Sequence, residues 1–319
     1  MVSHGVELDP RTAVRRPPAR SDRIEPSRAG RLDRTWRAFT ADPVVVAAAV
    51  VLAVIVLAAI LADLLVAIGV LPNPRTQNLL ITHALPGTLS SGVLHVLGTD
   101  QLGRDLLSRL VFAARVSLAV GAATVVVSAT VGTTLGLLAG FLRGAVDEII
   151  MRLVDIQMGF PSLLLALIVL YAAGPSFINL VLVLALTRWV VVARVVRAMT
   201  LALRQEQFID AARVAGATPT RTMRVHILPN VLSQVVVLAT LEFARAMLSE
   251  ASLSFLGVGI QPPDTSWGLM LSEGRQFLTT AWWLVAFPGL AVMLTAMAVN
   301  ILATWVRAIT DPTQRRLGS

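Results

Sequence analysis

Three sets of residues in this chain have types and spacings that could do chemistry, and all three lie against long stretches of hydrocarbon. The first is Asp210-Ala211-Ala212-Arg213-Val214-Ala215-Gly216, followed by His226-Ile227-Leu228-Pro229-Asn230. These residues are the heart of a basic insert at 199–230 between two apolar runs. A loop that only joined two elements could be far shorter, so the insert reads as a docking piece for another protein. The second set is Arg188, Glu242 and Arg245, charges well inside apolar runs. A charged side chain at the centre of a membrane helix costs roughly 2.5–3.5 kcal/mol on insertion scales, so each must face protein or water. Glu242 and Arg245 are three residues apart and can pair on one helix face. Such a pair can fix helix packing or line a polar pathway. The third set is Glu250, Gly257, Gly259, Pro262 and Trp267. The stretch 252–270 is too apolar for a free loop and too rich in Gly and Pro for a helix. Non-helical backbone at membrane depth must be buried in protein or line a cavity. A re-entrant element near the outer mouth, able to act as a gate, is therefore expected there.

Much other chemistry is excluded. There is no cysteine, hence no disulfide, thiolate metal site or Cys nucleophile. All 27 basic residues are Arg, and a chain without Lys has neither a P-loop nor a Schiff-base amine. His4, His83, His95 and His226 show no ligand spacing, so no metal is expected. Ser and Asp occur near one another, but no base is placed to activate a nucleophile.

The elements that carry these residues follow from composition. Of 319 residues, 55% are hydrophobic and 14% charged, against about 25% charged in soluble domains. The chain is an all-α, polytopic membrane protein. A spanning helix needs ~20 apolar residues. Six such runs are present, at 44–62, 116–142, 150–172, 177–198, 231–251 and 281–305. The uncharged stretch from Asp155 to Arg188 is too long for one helix. Ala173-Gly174-Pro175-Ser176 breaks it, because Pro175 lacks a donor and Gly174 permits a tight reversal.

Charge sets the orientation. Nine arginines lie in residues 1–41, and the positive-inside rule puts this tail in the cytoplasm. Six spans return Arg307, Arg315 and Arg316 to the same side. They also place the 199–230 insert there, with Arg204, Arg213, Arg221 and Arg224. The expected organisation is a cytoplasmic tail at 1–41, a first span at 42–64 and an external segment at 65–114. A membrane core at 115–306 and a cytoplasmic tail at 307–319 complete it. The net charge of +8 is what this topology requires, and no nucleic-acid partner is implied. The first apolar run starts too late and is too long for a cleavable signal. Trp36-Arg37-Ala38-Phe39 could form a short helix on the membrane surface, and Trp282, Trp283 and Trp305 could anchor the last span at the interfaces.

Within the insert, Arg204 to Ala215 reads as a helix with Phe208, Ala211, Ala212 and Ala215 on one face. Gly216 stops it. Thr218-Pro219 reads as an N-cap with Pro at the first helical position. A second short helix carries Arg221, Met223, Arg224 and Val225, and Pro229-Asn230 resets the chain into the fifth span. The competing reading is an amphipathic loop resting on lipid. In the external segment, Asp100, Arg104 and Asp105 are expected to pair at helical spacing. Gly98 and Gly103 allow sharp turns, so that the segment braces the second span. Arg152 and Asp155 share the spacing of an ion pair.

These residues carry a resemblance. Asp210-Ala211-Ala212, Gly216 and Leu228-Pro229 resemble the cytoplasmic EAA signature of permease subunits of ATP-binding-cassette (ABC) importers. Asp210 stands for the usual Glu, and His226 for the Ile of many members. The His-Ile-Leu-Pro-Asn form is similar to the peptide and nickel branch. The run Gly98 to Arg109, the stretch Asp147 to Asp155 with Phe160-Pro161-Ser162, and Glu250 to Gly259 with Pro262-Pro263 and Ser266-Trp267-Gly268 resemble C-type permeases of dipeptide and oligopeptide systems.

The resemblance implies a type I importer permease fold of six transmembrane helices, with a coupling helix in 199–230 that enters a groove of an ATPase. It implies an inner-membrane subunit working beside a homologous second permease of the B type. Two ATP-binding-cassette ATPases would hold the ATP and Mg, with no cofactor in this chain and no enzyme activity of its own. An external substrate-binding protein would deliver peptides. Independently of the resemblance, the burial cost of their charges alone suggests that Glu242 and Arg245 line the pathway and meet peptide termini. Nickel or another small solute is the alternative cargo. A membrane enzyme would need a buried catalytic constellation, and a secondary transporter would want repeats with charged midplane sites.

Overall fold

The computed structural model describes residues 39–90 and 92–310. Trp36 to Ala38, on which the expected surface helix rests, most of the 1–41 tail and residues 311–319 lie outside them. The chain divides at Asp42 into an N-terminal unit and a membrane unit that starts at Pro43. In the first unit the described residues form a single helical turn at 39–41.

The membrane unit opens with α1, Pro43–Ala67. Its 25 residues extend about 37 Å at 1.5 Å per residue, enough to cross a bilayer core. Val50, Val54, Leu57, Ile60 and Leu64 remain exposed, the pattern of a helix that meets lipid. The external segment follows, with a 3₁₀ turn at Leu79–Ile81 and a hairpin of β1, Thr88–Ser90, and β2, Val93–His95. The strands are antiparallel in the register Thr88↔His95 and Ser90↔Val93.

The second span, α2, runs from Leu106 to Leu142 and so starts ten residues before the position its apolar run suggested. The reason lies at its N-terminus. Asp105 accepts from the Ser108 backbone N–H at 2.8 Å and from Ser108 Oγ at 2.9 Å, a cap that satisfies orphan donors of the first turn. Residues 106–114, expected in the external segment, are therefore helical.

The third span differs most from expectation. The single helix read at 150–172 is two, α3 (Gly144–Met158) and α4 (Ser162–Ala173), bent by 91°. Gly159 ends α3, and Pro161 precedes α4. Pro161 lacks an N–H to continue α3, and it disfavours helical backbone at Phe160. Among the described residues five helices are long and apolar enough to cross a membrane, and the bent pair makes a sixth crossing if it counts as one span. The reversal at Gly174 is as expected. Gly174 has φ +83°, Ser176 caps the next helix, and Asn179 Nδ2 donates to the carbonyls of Ala173 and Gly174.

The fourth span, α5, is Phe177–Leu203. It packs on α2 through a row of glycines one turn apart. A Cβ at Gly132 would lie 2.6 Å from Val192 Cβ, one at Gly136 2.5 Å from the Ala193 carbonyl, and one at Gly140 2.7 Å from Thr200 Cβ. Lipid is as apolar as a helix surface, so close backbone approach replaces the hydrophobic effect as the driving force between spans.

The 199–230 insert carries α6, Gln207–Val214. After Gly216, a turn at Pro219–Arg221 leads into a π-helical turn at Thr222–Ile227 and then α7, Leu228–Phe255. Pro229-Asn230 does not reset the chain, contrary to expectation. Pro229 sits in the first turn of α7, where a missing N–H costs least. The π turn closes through Leu228 N–H to the Met223 carbonyl. Asn230 Nδ2 covers the His226 carbonyl at 2.6 Å. The second short helix is thus the root of the fifth span. The chain ends with α8, Trp267–Gly274, and α9, Trp283–Thr310.

Two of the buried clusters organise the bundle. At one end, Ala113, Met247, Trp267 and Trp283 join α2, α7, α8 and α9. At the other, nearer the 199–230 insert, Leu137, Phe141, Val192, Val196, Ile209, Ile227, Val231 and Val235 join α2 and α5 to that insert and the start of α7.

Candidate functional site

The 199–230 insert is fastened on one side and bare on the other. Ile209, on α6, and Ile227, in the π turn, are both 0% exposed and sit in the cluster nearer the insert. Arg204 Nη1 donates to the Phe141 carbonyl at 2.7 Å, and its guanidinium lies 5.6 Å from the Phe141 ring. On the opposite side, Phe208, Ala211, Val214 and Ala215 are exposed, with Ala212 half-buried. Asp210 and Arg213 pair at 3.2 Å in solvent, an arrangement worth little to stability.

The helix ends in a tight reversal. Gly216 N–H bonds the Arg213 carbonyl at 2.9 Å, and Ala217 N–H bonds the Ala212 carbonyl at 3.0 Å. This is the Schellman pattern, and Gly216 supplies its left-handed residue with φ +83°. Thr218 Oγ1 then accepts from Arg221 N–H at 3.3 Å, with Pro219 at the first helical position. His226 is half-buried, Leu228 packs against the same cluster, and Pro229 is exposed. Ile209 falls outside the residues that the sequence singles out, although an Ile between Phe208 and Asp210 in a polar insert is the available signal.

The charges inside the spans form one cluster. Arg188 of α5 lies 3.5 Å from Glu242 Oε2 on α7, and Arg245 Nη1 donates to Glu242 Oε1 at 3.0 Å. Arg188 Nη2 also donates to Ser249 Oγ at 2.6 Å. The pairing expected for Glu242 and Arg245 is present, and Arg188 joins it across two helices. Asp155, by contrast, is taken by Arg194 at 2.7 Å and not by Arg152, because it lies against α5. Asp147 on α3 is likewise held by Arg197 on α5, at 2.5 Å.

The outer loop is more helical than expected. Residues 252–255 complete α7, and Trp267 opens α8, leaving only 256–266 irregular. A single helix-capping serine at 266 is enough to restart the helix, since Ser266 Oγ accepts from Leu269 N–H at 3.2 Å. Glu250, 1% exposed, accepts from Ser254 Oγ at 2.8 Å and from Ser117 Oγ at 3.3 Å. Ser117 Oγ in turn accepts from Trp267 N–H at 3.1 Å, and Trp267 Nε1 donates to the Leu110 carbonyl at 3.0 Å. Gly259 is buried against Ser254, whereas Gly257 and Pro262 are exposed.

The Asp100–Arg104 pair expected at four-residue spacing is present, although it sits in a turn and Asp105 stands outside it. Residues 100–105 form a turn closed by Asp100, whose Oδ1 accepts from Leu102 and Arg104 N–H. Its Oδ2 receives Arg104 Nε at 2.6 Å and Arg109 Nη1 at 2.5 Å. Asp105 leaves that group to cap α2 and to meet His95 Nδ1 at 2.9 Å.

Residues 132–316 match the family described as binding-protein-dependent transport system inner membrane component. Residues 30–86 match the N-terminal TM domain of oligopeptide transport permease C. The chain belongs to the binding-protein-dependent transport permeases. It is 42% identical over 242 residues to the di/tripeptide transport system permease protein DppC of Pseudomonas aeruginosa, covering 76% of this chain and 79% of that one. It is 43% identical over 218 residues to the glutathione transport system permease protein GsiD of Pectobacterium atrosepticum, covering 68% and 72%. A solved chain of the MetNI methionine ABC transporter superposes with a TM-score of 0.51 at 18% identity, over 64% of this chain and 97% of that one, which shows a shared fold. As an ABC-importer permease this is a multi-pass membrane protein and not itself an enzyme. The larger of the two family matches takes in the 199–230 insert, the charge cluster and the outer loop.

Proposed function

We propose that this permease carries peptides inward across the cytoplasmic membrane, as one half of a heterodimer with a homologous second permease. Two ATP-binding-cassette ATPases bind ATP and Mg and dock on the cytoplasmic side, and an external binding protein delivers the cargo. Both termini of the chain lie in the cytoplasm. The peptide cargo follows from relatives whose names specify dipeptides, tripeptides and glutathione.

The observation that carries the coupling role is the two-sidedness of α6. Ile209 and Ile227 tie it to α2 and α5 through a shared buried cluster. Phe208, Ala211, Val214 and Ala215, flanked by Asp210, are left for a partner. A force on that outer face reaches the spans by packing, without slack in a flexible loop. ATP binding then closes the ATPase pair and shifts the spans between two rigid packings. The 256–266 loop, pinned to α2 through Ser117 and Trp267, serves as the outer gate.

The test is uptake by the complete transporter in proteoliposomes, with labelled dipeptides, tripeptides and nickel offered in parallel. ATP-dependent peptide uptake is expected. Uptake of nickel without peptide would transfer the permease to the metal branch.

A further inference from the structure

The charges at mid-span do not balance. Arg188 and Arg245 bring two guanidinium groups to one carboxylate, Glu242, and among the described residues no second acid lies within ion-pair distance of either. Glu242 is 1% exposed, with one oxygen toward each arginine. Its burial closes it off from solvent, with Oε2 left without a hydrogen-bond partner. Arg188 is held by Glu242, by Ser249 Oγ and by the Arg245 carbonyl.

Arg245 is different. Its side chain is 60% exposed and is engaged by one nitrogen only. It lies on a helical stripe with Gln234, Leu238, Leu241, Leu248 and Ser252, near the middle of α7. A guanidinium at that depth cannot front lipid without large cost, so the stripe fronts water or protein. Its planar fork matches a carboxylate in bidentate geometry.

We infer that Arg245 is a carboxylate-binding site of the translocation pathway that receives the C-terminal carboxylate of the peptide, with Glu242 and Arg188 as positioning residues. The inference rests on the peptide-permease reading. The same chemistry could be met by a carboxylate of the second permease, and the arms of the test separate the two sources.

The complete transporter in proteoliposomes is supplied with binding protein preloaded with a tripeptide, either as the free acid or as the C-terminal amide. In the unaltered protein the free acid is taken up faster. Arg245→Gln lowers free-acid uptake by about tenfold, the worth of one charge-assisted hydrogen bond, and leaves amide uptake within about twofold. Arg245→Lys falls between. As a second measurement, a free-acid tripeptide with a photoreactive C-terminal residue labels α7 around Arg245, and labelling is lost in Arg245→Gln. A tripeptide photoreactive at its N-terminal residue leaves that site unlabelled. Equal loss for both peptides, no loss, or labelling from the N-terminal residue would each overturn the inference. So would failure of Arg245→Gln, but not Arg245→Lys, to co-purify with the second permease, which would assign Arg245 to an acid of that subunit. If the unaltered transporter moves no peptide at all, the peptide reading itself falls.

Discussion

Arg109 Nη2 donates to Glu273 Oε2 at 2.8 Å, although 164 residues separate the two in sequence. Arg109 stands at the outer end of α2 and also holds Asp100, while Glu273 is on α8. One guanidinium therefore ties the external turn, the second span and the outer loop into a single body. This buried arginine fixes the surface against which any gating by residues 256–266 must work.

Arg109→Met should destabilise the permease by about 3 kcal/mol, the lower end for breaking a buried pair, since Arg104 still reaches Asp100. Thermal unfolding of the purified complex in detergent checks this. A midpoint unchanged from the unaltered protein would mean that the network contributes nothing.

The glycine row between α2 and α5 makes a steric prediction. Gly136→Val should cost at least about 1–3 kcal/mol, because its side chain meets the Ala193 carbonyl and Val196. Gly289→Ala is the control. Its added methyl reaches only Leu271 Cδ2 at 3.7 Å, so a neutral or slightly stabilising effect of up to about 1 kcal/mol is expected. Equal behaviour of the two variants in denaturation would remove the packing argument.

In the coupling segment, surface and anchor should separate. Asp210→Arg alters an exposed pair, so stability should change by less than about 1 kcal/mol, while peptide-stimulated ATP hydrolysis in the reconstituted complex collapses. Gly216→Pro removes the N–H that bonds Arg213 and forbids φ +83°; ATP hydrolysis should then continue without uptake. Normal uptake by either variant would argue that the segment does not transmit force.

Ile209→Ala should cost about 2–5 kcal/mol locally, as expected for a large-to-small change at a filled site. Hydrogen exchange across 207–217 should quicken, and peptide-stimulated ATP hydrolysis should weaken although the exposed face is untouched. Unchanged exchange would show that Ile209 is not the fastener.

Glu250→Gln keeps one oxygen to accept from a serine hydroxyl and an amide to donate to the other, and should preserve uptake. Glu250→Ala leaves those buried hydroxyls without an acceptor for their protons, at about 1–3 kcal/mol, and removes the group that orients Ser117 toward Trp267. Crosslinking between residues 117 and 267 (each replaced by Cys) should fall in the second variant alone.

Several features were legible along the chain because local physics writes them there. Bilayer thickness demands long apolar runs, so the spans could be counted from hydropathy. Gly174-Pro175 announced its turn, Gly216 its helix end, and Thr218-Pro219 its cap, because each rests on backbone conformation within a few residues. The 199–230 insert stands out as polar sequence longer than a connection requires. Tertiary structure alone decided the rest. The bend at Pro161 was hidden, because a proline at the start of an apolar run reads equally as the first turn of a helix. That Asp155 belongs to Arg194, and that Arg188 reaches Glu242 on another helix, depends on which helix faces meet. Hydropathy cannot reveal that, since lipid and protein interior are alike apolar. The meeting of faces is set by glycine backbones pressed against a neighbouring helix and by charges that must find partners out of water.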